Sequence, residues 1–388
     1  MARIKVGVVG YGFAAKSFHL PFILAIPDYE VVAILQRAEA PADPAPATKN
    51  SHCTVDFPHV KHYRSAENFF ADPEIDFVVV ATHADTHATF AEQALRAGKH
   101  VMVDKPFARS TSEADSVIEL AKQKGRVVTC FQNRRWDGDF QTVRELVKQD
   151  AFGGITEAEI HYDFDRAPWL HVLKKKEYTP GDGHMFGLGT PTGTAYLGTH
   201  SLDHAYVLFG RPASVTAFLR TQRGIESEVE DSFTVILQYD GPQRGLLVTV
   251  KTSVVSPMAQ QLKYWIRGTK SSYIKHQARS TCPQEEQIAE GVDPLDHNFA
   301  AEPARFQGTL TSYDEFDGEV QKFDEESERY VGKYPTVRGR WLGIYQNVAD
   351  HLNGKAELAV KANEVRDVLR IIELARESHQ KGATVAWK

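Results

Sequence analysis

The pattern of residues near the N-terminus restricts the fold of this chain more than any other feature. The apolar run Ile4–Val9 leads directly into Gly10-Tyr11-Gly12-Phe13-Ala14-Ala15, and a segment with helical character follows. In a strand–turn–helix unit, the first glycine permits a tight turn, the second leaves room for a pyrophosphate, and the small third residue lets helix and strand approach. Free amides at the start of the helix then bind the phosphate charge. The sequence therefore predicts a dinucleotide-binding turn whose cofactor contacts come from Gly10, Gly12, Phe13, Ala14 and Ala15.

Short β-rich runs alternate with helical patterns through the first third of the chain. The runs lack polar alternation, as expected for parallel strands covered on both faces. They are Ile4–Val9, Glu30–Leu35, Asp76–Ala81, His100–Val103 and Arg126–Phe131. One helix is predicted from about Asp85 to Ala97, and a second begins after the capping-box sequence Ser110-Thr111-Ser112-Glu113 and ends before Gly125. This alternation is typical of an α/β domain with an open, doubly wound parallel sheet.

The pattern changes in the second part of the chain. Strand-like runs cover Glu157–Asp163, Asp231–Tyr239, Arg244–Thr252 and Gln261–Gly268, and the last three follow one another without helices between them. This succession predicts an α+β domain with a large, mainly antiparallel open sheet. Helices are predicted over Gly198–Phe209 and about Asn363–Gln380, and surface loops over Ala38–Asn50 and Tyr313–Tyr330. The predicted domains are residues 1–133 and 134–388, with the closing helix free to pack back near the first domain.

Composition and charge exclude several classes of protein. The chain has 388 residues, 42% of them hydrophobic and 25% charged, which predicts two globular domains. The net charge is −6 and no long block of Lys and Arg occurs, so no nucleic-acid partner is expected. No apolar run approaches the roughly 20 residues that span a bilayer, so no membrane partner is expected. Three scattered cysteines, Cys53, Cys130 and Cys282, favour a reducing compartment, and we expect a cytoplasmic protein in which none of them carries chemistry.

The residues after the second strand predict which dinucleotide binds. Enzymes that use NAD usually place Asp or Glu there to accept a hydrogen bond from the ribose 2′-hydroxyl. Here the strand Val31–Leu35 ends in Gln36 and Arg37, so no carboxylate is present and an arginine lies where a 2′-phosphate would bind. The sequence favours NADP, with NAD as the alternative and a solvated loop charge as the other interpretation of Arg37.

A lysine follows the predicted strand His100–Val103, within Asp104-Lys105-Pro106. Ligands of doubly wound sheets bind at the carboxyl ends of the strands, where this lysine would lie. Its amine could protonate a carbonyl oxygen or accept the proton of an alcohol, provided that burial or a cationic neighbour lowers its pKa. The alternative is an ordinary surface lysine.

Several motifs together resemble those of the Gfo/Idh/MocA family of oxidoreductases, in particular its branch with an Asn-Arg-Arg-Trp-Asp motif, and the resemblance covers nearly the whole chain. The motifs are the stretch from Gly10 to His19, Ala81-Thr82-His83-Ala84-Asp85-Thr86-His87, Ala97–Val101, Asp104-Lys105-Pro106, Asn133-Arg134-Arg135-Trp136-Asp137, Leu197–Asp203 and Pro283-Gln284-Glu285. The resemblance implies a Rossmann domain followed by an open-sheet domain that often mediates dimerisation. A homodimer or a dimer of dimers is therefore expected.

The resemblance also implies roles for individual residues. Lys105 is expected to be catalytic, and His200 is expected to relay a proton, with Asp203 as its trailing acid. Residues expected on the nucleotide are Thr82, His83, His87, Asp104, Lys105, Asn133, Arg135 and Trp136, in addition to Gln36 and Arg37. Residues expected on the substrate are Trp136, Asp165, Arg166, Trp169 and Asp203, each with packing or interface as the alternative.

One position departs from the family pattern. The aspartate expected four residues before the histidine is replaced by Tyr196, which we consider as a third catalytic residue because its hydroxyl could act in place of the carboxylate. The predicted function is NADP(H)-dependent hydride transfer at a carbonyl or hydroxyl carbon of a sugar, polyol or related polyhydroxy or cyclic ketone substrate. The alternative is a catalytically silent nucleotide-binding sensor or co-repressor of the same fold.

The sequence predicts no metal site in this protein. His83 and His87, like His200 and His204, are spaced so that two imidazoles share one face of a helix. Neither pair has a His-Glu-x-x-His form or a cysteine close in sequence.

Overall fold

The computed structural model describes residues 3–42, 48–163, 198–222, 224, 230–277 and 283–388. The chain forms two compact units, Met1–Asn133 with Trp341–Arg366 and Arg134–Arg340 with Asp367–Lys388. The first unit is discontinuous in sequence, and the unit boundary near the C-terminus falls within the closing helix.

The described residues form sixteen strands and ten α-helices. The strands are Ile4–Val9 (β1), Tyr29–Leu35 (β2), Lys61–Tyr63 (β3), Phe77–Val80 (β4), His100–Val103 (β5), Val128–Cys130 (β6), Ile155–His161 (β7), Ser214–Arg220 (β8), Ser232–Gln238 (β9), Leu247–Ser253 (β10), Gln261–Gly268 (β11), Ser271–Gln277 (β12), Gly308–Ser312 (β13), Gln321–Asp324 (β14), Arg329–Tyr334 (β15) and Val385–Ala386 (β16). The helices are Leu20–Leu24 (α1), Cys53–Asp56 (α2), Ala66–Ala71 (α3), His87–Arg96 (α4), Thr111–Lys124 (α5), Gly138–Lys148 (α6), Gly198–Phe209 (α7), Pro283–Ala289 (α8), Leu342–Leu352 (α9) and Ala362–Lys381 (α10).

The sheet of the first unit has six parallel strands in the order β3-β2-β1-β4-β5-β6. This order confirms the predicted doubly wound Rossmann arrangement. Strand β4 is buried at every position, as expected for a parallel strand covered on both faces. Sequence analysis missed β3, because Lys-His-Tyr is short, polar and only partly buried.

Helix α5 shows how the sequence sets the ends of an element. The hydroxyl of Ser110 accepts a hydrogen bond from the N–H of Glu113, and Gly125 ends the helix with a left-handed φ of 59°. The Glu113 carboxylate accepts the backbone N–H of Arg109 (3.0 Å), one residue before the N-cap. The predicted bounds of this helix are confirmed.

The sheet of the second unit has ten strands in the order β14-β15-β13-β12-β11-β7-β10-β9-β8-β16. Strands β7 and β10 are parallel and all other neighbours are antiparallel, so the predicted large, mainly antiparallel sheet is confirmed. Helix α7 packs on one face of β7 and β10, and its side chains of Leu202 and Ala205 are buried there.

The prediction of a surface loop over Tyr313–Tyr330 is wrong. Strand β14 lies within this range and pairs with β15 as the edge hairpin of the large sheet. The side chain of Gln321 is buried and its amide bonds to Ser312 and to the carbonyl of Tyr330, whereas the next three residues of β14 are exposed. Charged, exposed residues are common on edge strands, and they gave this segment the composition of a loop.

Within the described residues, none of the helices has both the length and the apolar character needed to cross a bilayer.

Candidate functional site

The glycine turn lies between β1 and a helical segment, as predicted. Gly10 has φ +96°, and a Cβ on it would lie 2.7 Å from the carbonyl oxygen of Ala81, so only glycine fits. Apart from Gly12 and its two chain neighbours, no atom of the described residues lies within 4 Å of where a Cβ on Gly12 would be. Protein packing therefore does not require glycine at position 12, whereas a phosphate that approaches the backbone would.

The helical segment after the turn is irregular. Ala15 is fully buried against the sheet, while Phe13 is 72% exposed and Ala14 is partly buried. Ala15–His19 forms a π-helical turn before α1, and π-turns inside helices are frequent at functional sites. The irregular turn directs the side chain of His19 into the interior, where it is fully buried.

At the end of β2, Gln36 and Arg37 face different surroundings. The side-chain oxygen of Gln36 accepts the backbone N–H of Cys53 (2.9 Å), so this amide holds the start of α2. Arg37 is exposed and forms no ion pair with any residue that the structure describes. The nearby Arg64 donates from Nε to the carbonyl of Arg37 (3.1 Å) and pairs with Glu39 (2.7 Å). Two guanidinium groups therefore lie close to the end of this strand.

The segment after β4 is organised by His87. His83 is exposed, and Thr82 is partly buried with its hydroxyl 2.7 Å from that of Thr86. Both ring nitrogens of His87 face carbonyl oxygens: Nδ1 lies 2.7 Å from that of Pro106 and Nε2 lies 3.1 Å from that of Thr82. Burial lowers the pKa of His87, so the neutral ring donates to one carbonyl at a time. His87 thus connects two segments that were predicted to contact the nucleotide.

Asp104 and Lys105 lie where β5 ends, at the carboxyl edge of the parallel sheet. Asp104 is buried and its Oδ1 accepts the backbone N–H of Lys105 (2.7 Å), while Lys105 itself is partly buried. The peptide bond between Lys105 and Pro106 is cis. Burial alone would raise the pKa of Asp104, but the contact with His19 and the charges of Lys105 and His87 hold it below the usual value. The carboxylate is therefore ionised near neutral pH.

Two buried residues, His19 and Tyr345, form a chain of polar contacts that leads to the carboxylate of Asp104. Burial raises the pKa of Tyr345 well above its usual value, so the phenol keeps its proton and donates it to Nδ1 of His19 (2.6 Å). The other ring nitrogen, Nε2, then carries the proton that faces Oδ2 of Asp104, at 3.5 Å. His19 ends the glycine-turn motif, but sequence analysis gave it no role. Tyr345 lies 326 positions away, so the spacing in the sequence did not predict this contact.

Gln132 is a second residue that sequence analysis missed. It follows β6 at the carboxyl edge of the sheet and is 1% exposed, and neither amide atom has a hydrogen-bond partner in the part of the chain that the structure describes. Buried amides normally have partners, so this side chain is suited to a ligand or an ordered water. Its neighbour Asn133 is also buried and ends the N-terminal segment of the first unit.

In the second unit, the buried Arg134 of the Asn-Arg-Arg-Trp-Asp motif forms two ion pairs. Arg134 donates to Asp137 (3.1 Å) and to Glu285 (2.5 Å). The amide of Gln284 lies 3.4 Å from Asp137 and 3.5 Å from the carbonyl of Trp136. The Pro-Gln-Glu motif at the start of α8 therefore holds the arginine motif in place.

Arg135 and Asp203, which were predicted to contact the cofactor and the substrate, are paired with each other. Nε of Arg135 donates to Oδ2 (2.8 Å) and Nη2 donates to Oδ1 (2.7 Å) of Asp203. Both side chains are almost fully buried. This bidentate geometry fixes both groups strongly. Trp136, from the same motif, is partly buried.

His200 and His204 are four residues apart on one side of α7, and both are buried. The ring of His200 lies 5.9 Å from that of Tyr162. His204 stacks on Phe140, accepts the hydroxyl proton of Tyr264 at Nδ1 (2.8 Å) and donates from Nε2 to the carbonyl of Arg134 (3.1 Å). Burial lowers the pKa of His204 well below its usual value. His204 is thus a neutral core residue.

The structure brings the predicted nucleotide residues of the first unit to the carboxyl ends of β1, β2, β4 and β5, where Rossmann ligands bind. Four predicted residues, Tyr196, Asp165, Arg166 and Trp169, lie outside the described residues.

Comparison with known proteins identifies the family. Residues 4–132 match the oxidoreductase family with an NAD-binding Rossmann fold, and residues 140–274 match the GFO/IDH/MocA C-terminal domain. The chain is 33% identical to the uncharacterized oxidoreductase C115.03 of Schizosaccharomyces pombe, over 99% of this chain and 100% of the relative. It is 30% identical to the scyllo-inositol 2-dehydrogenase (NADP(+)) IolW of Bacillus subtilis, over 98% and 95% of the two chains. The crystal structure of an oxidoreductase from Bacillus cereus superposes with a TM-score of 0.81 at 25% identity, over 99% of each chain. The chain therefore belongs to the Gfo/Idh/MocA family of oxidoreductases.

Proposed function

We propose that this protein transfers a hydride between NADP(H) and a carbonyl or hydroxyl carbon of a sugar, polyol or related polyhydroxy or cyclic ketone substrate. The observation that carries the proposal is the position of Lys105, at the carboxyl end of β5 in the same unit as the glycine turn. The open space at Gly12 and the buried, unpaired amide of Gln132 both fit a bound dinucleotide.

The nicotinamide ring supplies or accepts the hydride when the cofactor is bound. The amine of Lys105 takes the hydroxyl proton as an alcohol is oxidised, and returns it to the carbonyl oxygen in the reverse direction. Asp104 accepts the backbone N–H of Lys105 and so fixes the backbone from which the lysine side chain extends. We assign the second proton-handling role to His200, as the resemblance implies. Tyr196, where this chain departs from the family pattern, would supply a hydroxyl in place of the missing carboxylate. Contact with the substrate stays a prediction for five further residues: Trp136, Asp165, Arg166, Trp169 and Asp203.

The preference for NADP is supported by Arg37. Its guanidinium is exposed at the end of β2 and has no carboxylate partner within the described residues, and Arg64 adds a second cation nearby. A 2′-phosphate carries negative charge and accepts hydrogen bonds, so it is attracted to arginine, whereas the ribose hydroxyl of NAD would gain little there. The Bacillus subtilis relative is a dehydrogenase that uses NADP(+) and scyllo-inositol.

A catalytically silent sensor or co-repressor is the second candidate. The observation that favours it is Tyr196, which stands where family members carry an aspartate four residues before the histidine. A sensor would bind the dinucleotide and leave it chemically unchanged.

One assay separates the two candidates. The protein is mixed with NADP or NADPH and a panel of inositols, sugars, cyclic ketones and dihydrodiols, and absorbance of the reduced nicotinamide is followed. We expect turnover, and we expect Lys105→Met to lower kcat by about 10²–10⁴-fold, the usual contribution of a general acid or base. Lys122→Met, which changes a lysine in the last turn of α5, should leave kcat unchanged.

Tight NADP binding without turnover on any substrate would support the sensor. Equal turnover by the wild type and Lys105→Met would contradict the role of the lysine.

We also propose that a second copy of the chain covers the face of the ten-stranded sheet opposite α7. Half-buried apolar side chains on this face, including Ile236, Trp265 and Ile274, lie among polar ones, a composition common in dimer interfaces. A dimer, or a dimer of dimers, is expected by sedimentation at micromolar concentration. Trp265→Glu should shift it toward the monomer, and a monomeric wild type would contradict the proposal.

A further inference from the structure

A cluster of side chains that could bind a metal ion lies in the first unit. His52, Cys53 and His62 each offer one ligand atom, and these three atoms all lie within 4.8 Å of one another. His52 and Cys53 are buried, and His62 is partly buried. The imidazole rings of His52 and His62 meet edge to face, with centroids 4.7 Å apart. We call these three residues the His52–Cys53–His62 cluster.

The local fold holds the cluster together through one residue, Gln36. Its side-chain oxygen accepts the backbone N–H of Cys53 (2.9 Å), and its carbonyl oxygen lies 2.9 Å from Nε2 of His62. His62 also lies opposite Ile34 in the parallel pair of β3 and β2. The end of β2 therefore brings together two segments that are separate in sequence.

The hydrogen bonds determine which ring atom of His62 is available. A carbonyl oxygen can only accept, so Nε2 of His62 carries the proton that is donated to Gln36. In the neutral ring, Nδ1 then has a lone pair for a metal ion. Donation from the other ring nitrogen to a carbonyl is the usual second-shell arrangement of metal-binding histidines.

The hydrogen bonds of His52 also determine which of its ring nitrogens is available. Its Nε2 lies 3.3 Å from the carbonyl oxygen of Ala38, so Nε2 carries the ring proton. Its Nδ1 has the lone pair, which accepts from the hydroxyl of Thr54 (2.8 Å) and from the backbone N–H of Thr54 (3.2 Å). A metal ion at Nδ1 would replace both bonds. The free energy of binding a structural Zn²⁺ ion exceeds the net contribution of two neutral hydrogen bonds several times over, so the exchange favours the ion.

We propose that the His52–Cys53–His62 cluster binds a Zn²⁺ ion through two imidazole nitrogens and the thiolate of Cys53. Zn²⁺ prefers nitrogen and sulfur ligands in tetrahedral geometry, with bonds of roughly 2.0–2.3 Å. A water molecule takes the fourth position. The thiol proton leaves to solvent as the Zn–S bond forms, so the bound ion and its ligands keep a net charge of +1.

The position of the cluster links it to the end of β2. Gln36 receives hydrogen bonds from both Cys53 and His62, and Arg37 is the next residue. A bound ion would therefore hold α2 and β3 against the same strand end. The proposal does not depend on Lys105, on His200 or on turnover.

The test uses the full-length protein without a histidine tag, after treatment with a chelator. Competition with a chromophoric Zn²⁺ indicator measures affinity and stoichiometry, and Co²⁺ replaces Zn²⁺ for absorption spectroscopy. We expect one equivalent of Zn²⁺ and a thiolate-to-cobalt charge-transfer band. Cys53→Ser should abolish this band, and Cys53→Ser and His62→Gln should each lower Zn²⁺ affinity by more than the about 10–100-fold that second-shell changes cause.

His59→Gln is the matched control, because His59 is exposed and belongs to the same segment of the chain. It should bind Zn²⁺ as the wild type does. Circular dichroism of the metal-free variants checks that each is folded, and His62→Gln, which changes a partly buried residue, keeps the test valid if Cys53→Ser does not fold.

Three results would overturn the proposal. They are a wild type that fails to compete with the indicator for Zn²⁺, a Co²⁺ complex without the thiolate band, and a loss of affinity in His59→Gln as large as in His62→Gln. Because the measurement is of metal binding alone, its failure would leave the proposed oxidoreductase function untouched, and the reverse also holds.

Discussion

In the first unit, Arg37 lies exposed and unpaired within the described residues, whereas in the second unit Arg134 and Arg135 are buried and bound to carboxylates. The difference shows that the surroundings of an arginine decide whether its charge is available to a ligand or is used to stabilise the fold. An exposed, unpaired guanidinium is available to an anionic ligand. A buried bidentate pair is committed to the architecture, because removing one partner would leave a charge without compensation.

The largest effect that separates the two regions is on stability. Arg135→Leu leaves the carboxylate of Asp203 buried without its partner, and we expect the free energy of unfolding to fall by about 3–5 kcal/mol. Arg37→Leu changes an exposed side chain and should stay within about 0.5 kcal/mol of the wild type. Urea unfolding of both variants provides the measurement. A loss below about 1 kcal/mol in Arg135→Leu would show that the pair is not a structural anchor.

The pairing of Arg135 with Asp203 is a contact that the sequence did not predict. Arg135 and Asp203 are 68 positions apart, and each was predicted to contact a ligand because each lies in a family motif. A motif identifies a residue as part of the site region, but it does not distinguish a residue that touches a ligand from one that holds the region together. That distinction depends on the partner, which tertiary structure alone supplies.

The fold was more accessible to sequence analysis than the contacts. The apolar runs of β1, β4 and β5 are continuous because parallel strands are covered on both faces. Two of the strands that were missed, β3 and β14, are short or polar and depend on neighbouring strands rather than on their own composition. Others that were missed, such as β8 and β12, have seven residues each. Gln132 gave no signal at all, because its importance comes from burial without a partner.

The second effect is on cofactor choice. If Arg37 binds the 2′-phosphate, then Arg37→Ser removes a charge-assisted interaction of about 1.5–3 kcal/mol. We expect the dissociation constant of NADPH to rise by about 10–100-fold, while that of NADH changes little. Fluorescence titration measures both constants directly, so the experiment applies to an enzyme and to a silent sensor alike.

Arg96→Ser serves as the control for Arg37, since Arg96 is exposed on α4 and pairs with Glu92 of the same helix. Equal NADPH affinity in the wild type and Arg37→Ser would mean that Arg37 is only a solvated charge. A parallel loss of NADPH and NADH affinity would point to a structural role instead.

The third effect is the dependence of the free energy of unfolding on pH, because each unit contains a buried histidine with a lowered pKa. Burial lowers the pKa of both rings, and it lowers that of His204 further than that of His87. A histidine of lowered pKa binds more protons when unfolded, so its contribution to stability is complete above the unfolded pKa of 6.5 and declines as pH falls below it. The slope is about 1.4 kcal/mol for each pH unit until the folded pKa is reached.

We therefore expect the second unit to lose stability through His204 as pH falls below 6.5. His204→Phe removes the titrating ring while keeping an aromatic surface against Phe140, and its unfolding free energy should depend less steeply on pH over this range. His83→Gln, which changes an exposed histidine, should retain the slope of the wild type. Urea unfolding at half-unit pH intervals measures the three slopes. If His204→Phe and the wild type have the same slope, then the imidazole of His204 is protonated in the folded protein, and its hydrogen bonds to Tyr264 and Arg134 require a different assignment of protons.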